Sequence, residues 1–488
     1  MKNKQRIHAP AAVALAAAAL LSACAPIPKL PEAPPALTAA KLGLKNPASP
    51  SLAGQQAQPD LRADWWFVFR DRQLNVLMGQ ALRESPSLAT ARARIARANA
   101  SAEAAGAASK PVVGAGMDLT YQRFTEHGLY PPPIAGDQRA TIDLRAVNVT
   151  YEWDFFGRHQ AELAAAIGQE KAALADAAAA RLMLSTQLTR SYLALARVLD
   201  QRQLLGEQLA ERERALALVR ERVAAGLDNE QELRGAEQPV PELRRQRLVL
   251  DEQAALLRHQ LAALSVQPLE AIERLRPRLP DPLTLQGEQD GPGLDLLGRR
   301  PDVVAARWRA EAATQQVSAT RALFYPNISL NGFVGLSSIG LDNLGKGGSL
   351  VWGLGPSLRL PLFDTGRLSA QLHGSAAELN GAVASYNATL LDAVRDARDQ
   401  LVGVQSAARQ QQEQQALLSN ARSSADLARQ RFEAGLGSRL ALLNAHYGLL
   451  VQQRQALDLR AQTLDSQVGL MRALGGGWSE SLPPAAQE

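Results

Sequence analysis

Residues 147–155 read Val-Asn-Val-Thr-Tyr-Glu-Trp-Asp-Phe, and no proline occurs in the long stretch that follows, from Gly157 to Ala225. The first stretch alternates apolar and polar side chains, which is the period-two pattern of a β-strand with one apolar face. The second places its leucines three and four residues apart, which is typical of helices that pack as coiled coils. An unbroken helix of that length would be about 100 Å long at 1.5 Å per residue. A strand that leads into such a helix does not fit a compact domain.

The same arrangement occurs twice in the chain. Pro86 and Pro111 recur 215 residues later as Pro301 and Pro326, and Gly157 recurs 209 residues later as Gly366. The segment Arg-Val-Ala-Ala-Gly-Leu at 222–227 recurs, at the same spacing of 209, as Arg-Phe-Glu-Ala-Gly-Leu at 431–436. The spacing therefore predicts an internal duplication, in which each half contains a helix, two strands, a long helix, a tight turn and a returning helix.

The predicted segments follow from this duplication. The first half, residues 61–265, has strands at about 111–124 and 143–156 and long helices at 157–225 and 229–265, the last kinked by Pro239 and Pro241. The second half, residues 300–474, has strands at about 326–336 and 350–363 and long helices at 366–434 and 439–474. The remaining segments are a signal peptide (1–23), an extended linker (24–60), a connector (266–299) and a C-terminal tail (475–488).

Each strand is about ten residues long, the length that a tilted strand needs to cross a bilayer. Two soluble hairpins with one buried face would show the same alternation. Four strands cannot close a membrane barrel, since the smallest have about eight, and an open edge in lipid leaves backbone groups unpaired. We therefore expect several chains to contribute to one β-barrel.

The N-terminus is typical of a bacterial lipoprotein. Basic residues precede an apolar stretch, Ala9 to Leu21, which is too short to span a bilayer and fits a signal peptide. Leu21-Ser22-Ala23-Cys24 then resembles a lipobox, which implies cleavage between Ala23 and Cys24 and covalent N-acyl and S-diacylglycerol lipid on Cys24. Ala25 after the cysteine implies sorting to the outer membrane.

Other functional classes find little support. The net charge of +5 comes with no basic stripe of the kind that binds nucleic acid. The six histidines are scattered without metal-binding spacing, and no nucleophile or phosphate-loop motif is present, so we expect no catalytic residues, no metal and no enzyme. Another class is a structural coiled-coil lipoprotein that spaces the layers of the cell envelope and forms no channel. Such a spacer does not need alternating strands.

Taken together, the lipobox, the paired Ala-Gly-Leu turns, Arg299-Arg300-Pro301-Asp302-Val303 and Phe363-Asp364-Thr365-Gly366-Arg367 resemble the TolC-like outer-membrane factors, in their NodT-type lipoprotein branch. The resemblance implies a mainly α fold with a transmembrane β part. It implies a homotrimer with a twelve-stranded outer-membrane β-barrel and a long α-helical periplasmic barrel. It also implies a passive channel of the Gram-negative outer membrane that exports small molecules, drugs included, received from a periplasmic adaptor protein and an inner-membrane transporter of the RND type.

The resemblance also implies site residues. Adaptor docking falls on the two turns, at Ala225, Gly226, Leu227, Ala434, Gly435 and Leu436, although plain helix caps would explain the same glycines. The gate candidates are Asp228, Glu230, Arg439 and Asn444, although solvated turn residues would have the same composition. Asn444 occupies a position where the family often has aspartate, so we expect no ring of aspartates here.

Overall fold

A computed structural model of the chain describes residues 27–30, 34–37, 63–283, 299–361 and 363–480. The signal peptide, Ala23, Cys24 and most of the predicted linker lie outside these ranges. The chain forms two compact units. The sheet unit comprises residues 95–173 and 306–386 with the described residues before 37, and the helical unit comprises residues 37–94, 174–305 and 387–488.

The elements follow one another in the order that the duplication predicts. The first half contains α1 (Arg72–Glu84), α2 (Pro86–Ala107), β1 (Val112–Arg123), β2 (Gln138–Trp153), α3 (Arg158–Ala224), α4 (Glu230–Glu237) and α5 (Pro239–Ser265). A short α6 (Leu269–Glu273) follows, and the second half contains α7 (Pro301–Ala322), β3 (Asn327–Ile339), β4 (Leu350–Arg359), α8 (Thr365–Glu433) and α9 (Arg439–Ala473).

The helical unit packs around α3 and α9. Its main core joins aromatic residues near position 65 to leucines of α3, and its largest fully buried members include Trp65, Leu74, Leu188, Tyr192 and Leu195. A second core cluster lies nearer the end of α3, where Leu205, Leu209 and Leu216 pack on Val240 and Leu243 of α5. The mixed spacing of three and four residues thus places one apolar stripe of α3 against its neighbours.

The return from the first turn is interrupted. The sequence predicts one kinked helix over 229–265, whereas the structure has two helices that meet at Gln238. Pro239 and Pro241 have no N–H to donate to a preceding carbonyl, so the hydrogen-bond ladder is lost there. Gln238 keeps helical angles (φ −56°, ψ −43°), so the chain continues in the same direction. Val240, between the prolines, is 4% exposed and packs in the second core cluster.

The sheet unit contains an antiparallel sheet of four strands in the order β1-β2-β3-β4. Strand β2 starts at Gln138, earlier than predicted, because Gln138 pairs with Arg123 at the end of β1. It ends at Trp153, because the Asp154 side chain already accepts a hydrogen bond from the backbone N–H of Gln160, 2.9 Å away, at the start of α3. Strand β4 ends at Arg359, short of the predicted 363, because β3 begins at Asn327, its partner.

Strand β2 also contains a β-bulge that the alternation did not predict. One extra residue, Ala146, lies between Arg145, opposite Gly335, and Val147, opposite Val334. Gly335 fits this site because a Cβ there would overlap the Leu144 carbonyl oxygen. The bulge exchanges the faces of β2, so Leu144 and Ile142 continue the apolar face of Val147 and Val149.

Among the described residues, no helix combines the length and the apolar character needed to cross a bilayer.

Candidate functional site

The first candidate site is the turn between α3 and α4. Gly226 has φ +69°, its N–H donates to the Val223 carbonyl (3.0 Å), and the Leu227 N–H donates to the Arg222 carbonyl (2.8 Å). This pair of bonds is a Schellman cap, which needs a left-handed residue at the glycine position. The cap presents the Leu227 side chain to solvent, 69% exposed.

The second turn, between α8 and α9, repeats this backbone. Gly435 has φ +71°, its N–H donates to the Phe432 carbonyl (3.0 Å), and the Leu436 N–H donates to the Arg431 carbonyl (2.8 Å). Leu436 is 73% exposed. The two turns therefore present the same small surface, one apolar side chain above a glycine with free space where a Cβ would be.

The side chains under the two turns differ. In the first turn Arg222 holds Asp228 through two hydrogen bonds, Nε to Oδ2 at 2.7 Å and Nη2 to Oδ1 at 2.9 Å. The hydrogen bonds from Arg222 hold the pKa of Asp228 below its usual value. In the second turn the equivalent residue is Gly437, and Arg431 has no ion-pair partner within the described part of the chain. Of the two turns, only the first is therefore braced by a bidentate ion pair between an arginine and a carboxylate.

The gate candidates do not form one cluster. Asp228 is engaged by Arg222, and Glu230 lies 3.8 Å from Arg234 on its own helix. Arg439 is the first residue of α9 and is exposed. Asn444, on the next turn of α9, contacts a different element, because its Oδ1 accepts a hydrogen bond from Arg212 of α3 at 2.8 Å.

The residues around Asn444 were not among those predicted from the sequence. The Arg212 guanidinium lies 3.5 Å from the ring centre of Tyr447, a cation–π contact, while its neighbour Glu211 is 3.6 Å from His446. Glu211 is 8% exposed, although it lies among the apolar positions of α3. The sequence did contain one sign of this cluster, since Glu211 and Gln208 interrupt the leucine-rich stripe of α3. A buried polar residue at such a position requires a hydrogen-bond or ion-pair partner.

A third polar group lies at the start of the second half. Arg300 is 8% exposed and donates to both carboxylate oxygens of Asp302 (3.1 and 2.8 Å) and to Asp396 of α8 (3.0 Å). Asp396 also accepts two hydrogen bonds from Arg472 of α9, at 2.7 and 2.9 Å. Burial acts to lower the pKa of Arg300, but hydrogen bonds to the two aspartates outweigh it and raise the pKa above its usual value. This Arg300 network connects the start of the second half to α8 and α9.

The sheet has one apolar and one polar face. Directly opposite pairs on the apolar face include Val113–Val149, Tyr151–Leu330 and Val334–Trp352. The polar face carries Asp118 opposite Asp143 and Thr120 opposite Thr141. A sheet with one face of each kind can separate lipid from water.

The chain is similar to known proteins. The family model described as outer membrane efflux protein matches residues 77–265 and 294–476. The multidrug resistance outer membrane protein MdtP of Escherichia coli is 32% identical over 433 residues, which are 86% of this chain and 87% of MdtP.

Solved structures show the same fold. The outer membrane protein VceC of Vibrio cholerae is similar with a TM-score of 0.77 and 33% identity, over 86% of this chain and 99% of VceC. A membrane protein of Pseudomonas aeruginosa is similar with a TM-score of 0.75 and 29% identity, over 93% of this chain and 99% of that chain. The predicted fold class, mainly helical with four strands per chain, is confirmed.

Proposed function

Because this chain belongs to the outer membrane efflux protein family, we propose that three copies of it close one twelve-stranded sheet and conduct small molecules out of the cell. The predicted family, the outer-membrane location and the role as an efflux channel subunit are confirmed by the relatives.

The open sheet is the observation that carries the proposal. Strands β1 and β4 lie at its two edges, so each edge has a row of backbone N–H and C=O groups without a strand partner among the described residues. In hydrocarbon each unpaired group costs several kcal/mol. Three copies would pair every edge, with the apolar face toward lipid and the polar face toward a water-filled lumen.

We propose the two helical turns as the docking surface for a periplasmic adaptor protein. Support comes from the pair of equivalent turns, each with an exposed leucine over a glycine that leaves space for a partner backbone. Through that adaptor the channel would receive its cargo from an inner-membrane transporter, for which we propose the RND type. The name of MdtP favours drugs as cargo.

A pore constriction near Asn444 is also proposed. The Oδ1 atom of Asn444 accepts a hydrogen bond from Arg212 of α3, and this bond fixes the orientation of the amide. Three copies around an axis would bring three such amides together, and neutral amides would give little ion selectivity.

Lipidation of Cys24 completes the proposal. The residue lies outside the described ranges, and the lipobox sequence supports acylation there. Metabolic labelling with a radioactive fatty acid is expected to label the wild type and not a Cys24→Ser variant, whereas labelled Cys24→Ser would contradict the assignment.

Conductance tests the function itself. Purified protein added to planar bilayers is expected to open water-filled pores, and its gene should restore drug tolerance to a host that lacks its own outer-membrane channel. We expect no catalytic activity. A protein that inserts but gives no conductance would favour the alternative, a structural coiled-coil spacer.

A further inference from the structure

The edges of the sheet define an interaction surface for a second copy of this chain. We propose that the junction between chains repeats the register of the junction between the two halves within one chain, which places Leu358 of one copy opposite Met117 of the next. This inference rests on the trimer proposed above.

The duplication already predicts one register correctly. In the first half Val113 lies opposite Val149. The repeat spacings of 215 for the first strand and 209 for the second transfer this pair to Ile328 and Leu358. The structure shows Ile328 opposite Leu358. On the Trp153 side of the bulge at Ala146 the two hairpins are therefore equivalent residue by residue, so register can be transferred between the halves there.

The junction between the halves transfers in the same way. Within the chain, β2 meets β3 with Val149 opposite Gly332. The same spacings move Val149 to Leu358 of β4 and Gly332 back to Met117 of β1. A ring of three two-half chains contains six half-to-half junctions, three within chains and three between them, so matched junctions keep the strand tilt uniform around the ring.

The part of the junction that lies beyond the bulge at Ala146 gives the same register. Leu144 lies opposite Leu336, beyond the extra residue of β2. Strand β4 pairs with β3 without a register shift, so β4 has no counterpart of the extra residue Ala146. Without Ala146, Leu144 corresponds to Leu354 of β4. The spacing of 215 makes Leu336 correspond to Tyr121 of β1. Leu354 opposite Tyr121 continues the run from Leu358 opposite Met117, since each strand moves four residues.

Two further features agree with this register. It places apolar residues opposite apolar residues, whereas a slip by one residue would put the polar face of one chain beside the apolar face of the next. It also places Arg359 opposite Gly116, diagonal to Asp118. Diagonal neighbours in a sheet are about 7–8 Å apart, within reach of an arginine, so the junction gains a pair of opposite charges.

Cysteine cross-linking in intact membranes tests the register. Cys24 is the chain's one natural cysteine, so single-cysteine variants give the background. The two pairs expected to link are Met117→Cys with Leu358→Cys and Tyr121→Cys with Leu354→Cys. The crossed pairs, Met117→Cys with Leu354→Cys and Tyr121→Cys with Leu358→Cys, contain the same four substitutions. A crossed pair is displaced by four residues, about 13 Å along the strand, beyond the roughly 7 Å limit for a disulfide.

Oxidation is expected to give covalent dimers and trimers on a non-reducing gel for the two matched pairs only. Links in a crossed pair, or in no pair while native trimers persist, would overturn the register and leave the trimer standing. A monomer by native mass measurement in detergent, with no links, would instead overturn the proposed assembly.

Discussion

The Arg300 network leads to a quantitative prediction for Asp396→Asn. The substitution keeps the shape of the side chain but removes its charge and turns one acceptor of the Arg300 and Arg472 hydrogen bonds into a donor. The side chains of Arg300, Asp396 and Arg472 are 9%, 17% and 26% exposed. Removing one partner of a buried ion pair costs about 3–5 kcal/mol.

The expected loss is smaller than that full range. Arg300 keeps both hydrogen bonds to Asp302, and Arg472 retains some access to water. We therefore expect about 2 kcal/mol, which lowers the thermal midpoint by about 4 °C at the usual scaling for large domains.

The chain offers a matched control one helical turn earlier. Asp392 pairs with Arg395 at 3.1 Å on the same helix, but both side chains are about 70% exposed, at 68% and 71%. Exposed pairs contribute about 0–1 kcal/mol. Helical circular dichroism of the detergent-purified protein, followed on heating, should separate the two variants. Equal midpoints for Asp396→Asn and Asp392→Asn would refute the assignment of the Arg300 network as stabilising.

Three further predictions concern the turns, the constriction and pH. Gly226→Val or Gly435→Val forces a branched residue to positive φ, at about 1–2 kcal/mol, and should reduce drug tolerance with trimers intact. Gly235→Val, at an open helical position, is the control, and equal tolerance in all three variants would rule out docking there. Asn444→Asp should shift the reversal potential toward cations through three added charges; an unchanged potential would place residue 444 away from the pore. Burial acts to raise the pKa of Asp302, but hydrogen bonds from its arginine partner lower the pKa overall, so this group stabilises the fold above about pH 4. The stability difference between wild type and Asp302→Asn should shrink as the pH falls below that value, and a constant difference down to pH 2 would contradict it.

Local patterns predicted the backbone well. The repeated Ala-Gly-Leu segments predicted caps at Gly226 and Gly435, because a helix end that needs positive φ selects glycine. Alternation predicted the strands, because one face of each must be apolar.

Features that depend on distant residues were not predictable from such patterns. The partner of Asn444 lies on another helix, more than two hundred residues away, and nothing in the spacing of Arg212 indicates that contact. The bulge at Ala146 was missed because the apolar residues before it and after it each alternate correctly, and only pairing with β3 shows that the phase changes. The prolines predicted a disturbance at 239–241, but only packing of Val240 determines that the chain continues in the same direction.

The difference between Asp228 in the first turn and Gly437 at the equivalent position of the second has a consequence for assembly. The two turns have the same backbone geometry, but only the first is braced by an ion pair, between Arg222 and Asp228. In the proposed trimer the two kinds of turn would alternate around the periplasmic end of the channel, so that each braced turn lies next to an unbraced one. A partner that loads all six turns equally would therefore deform the three turns without an ion pair first, because no side-chain pair in the ranges that the structure describes resists the movement there.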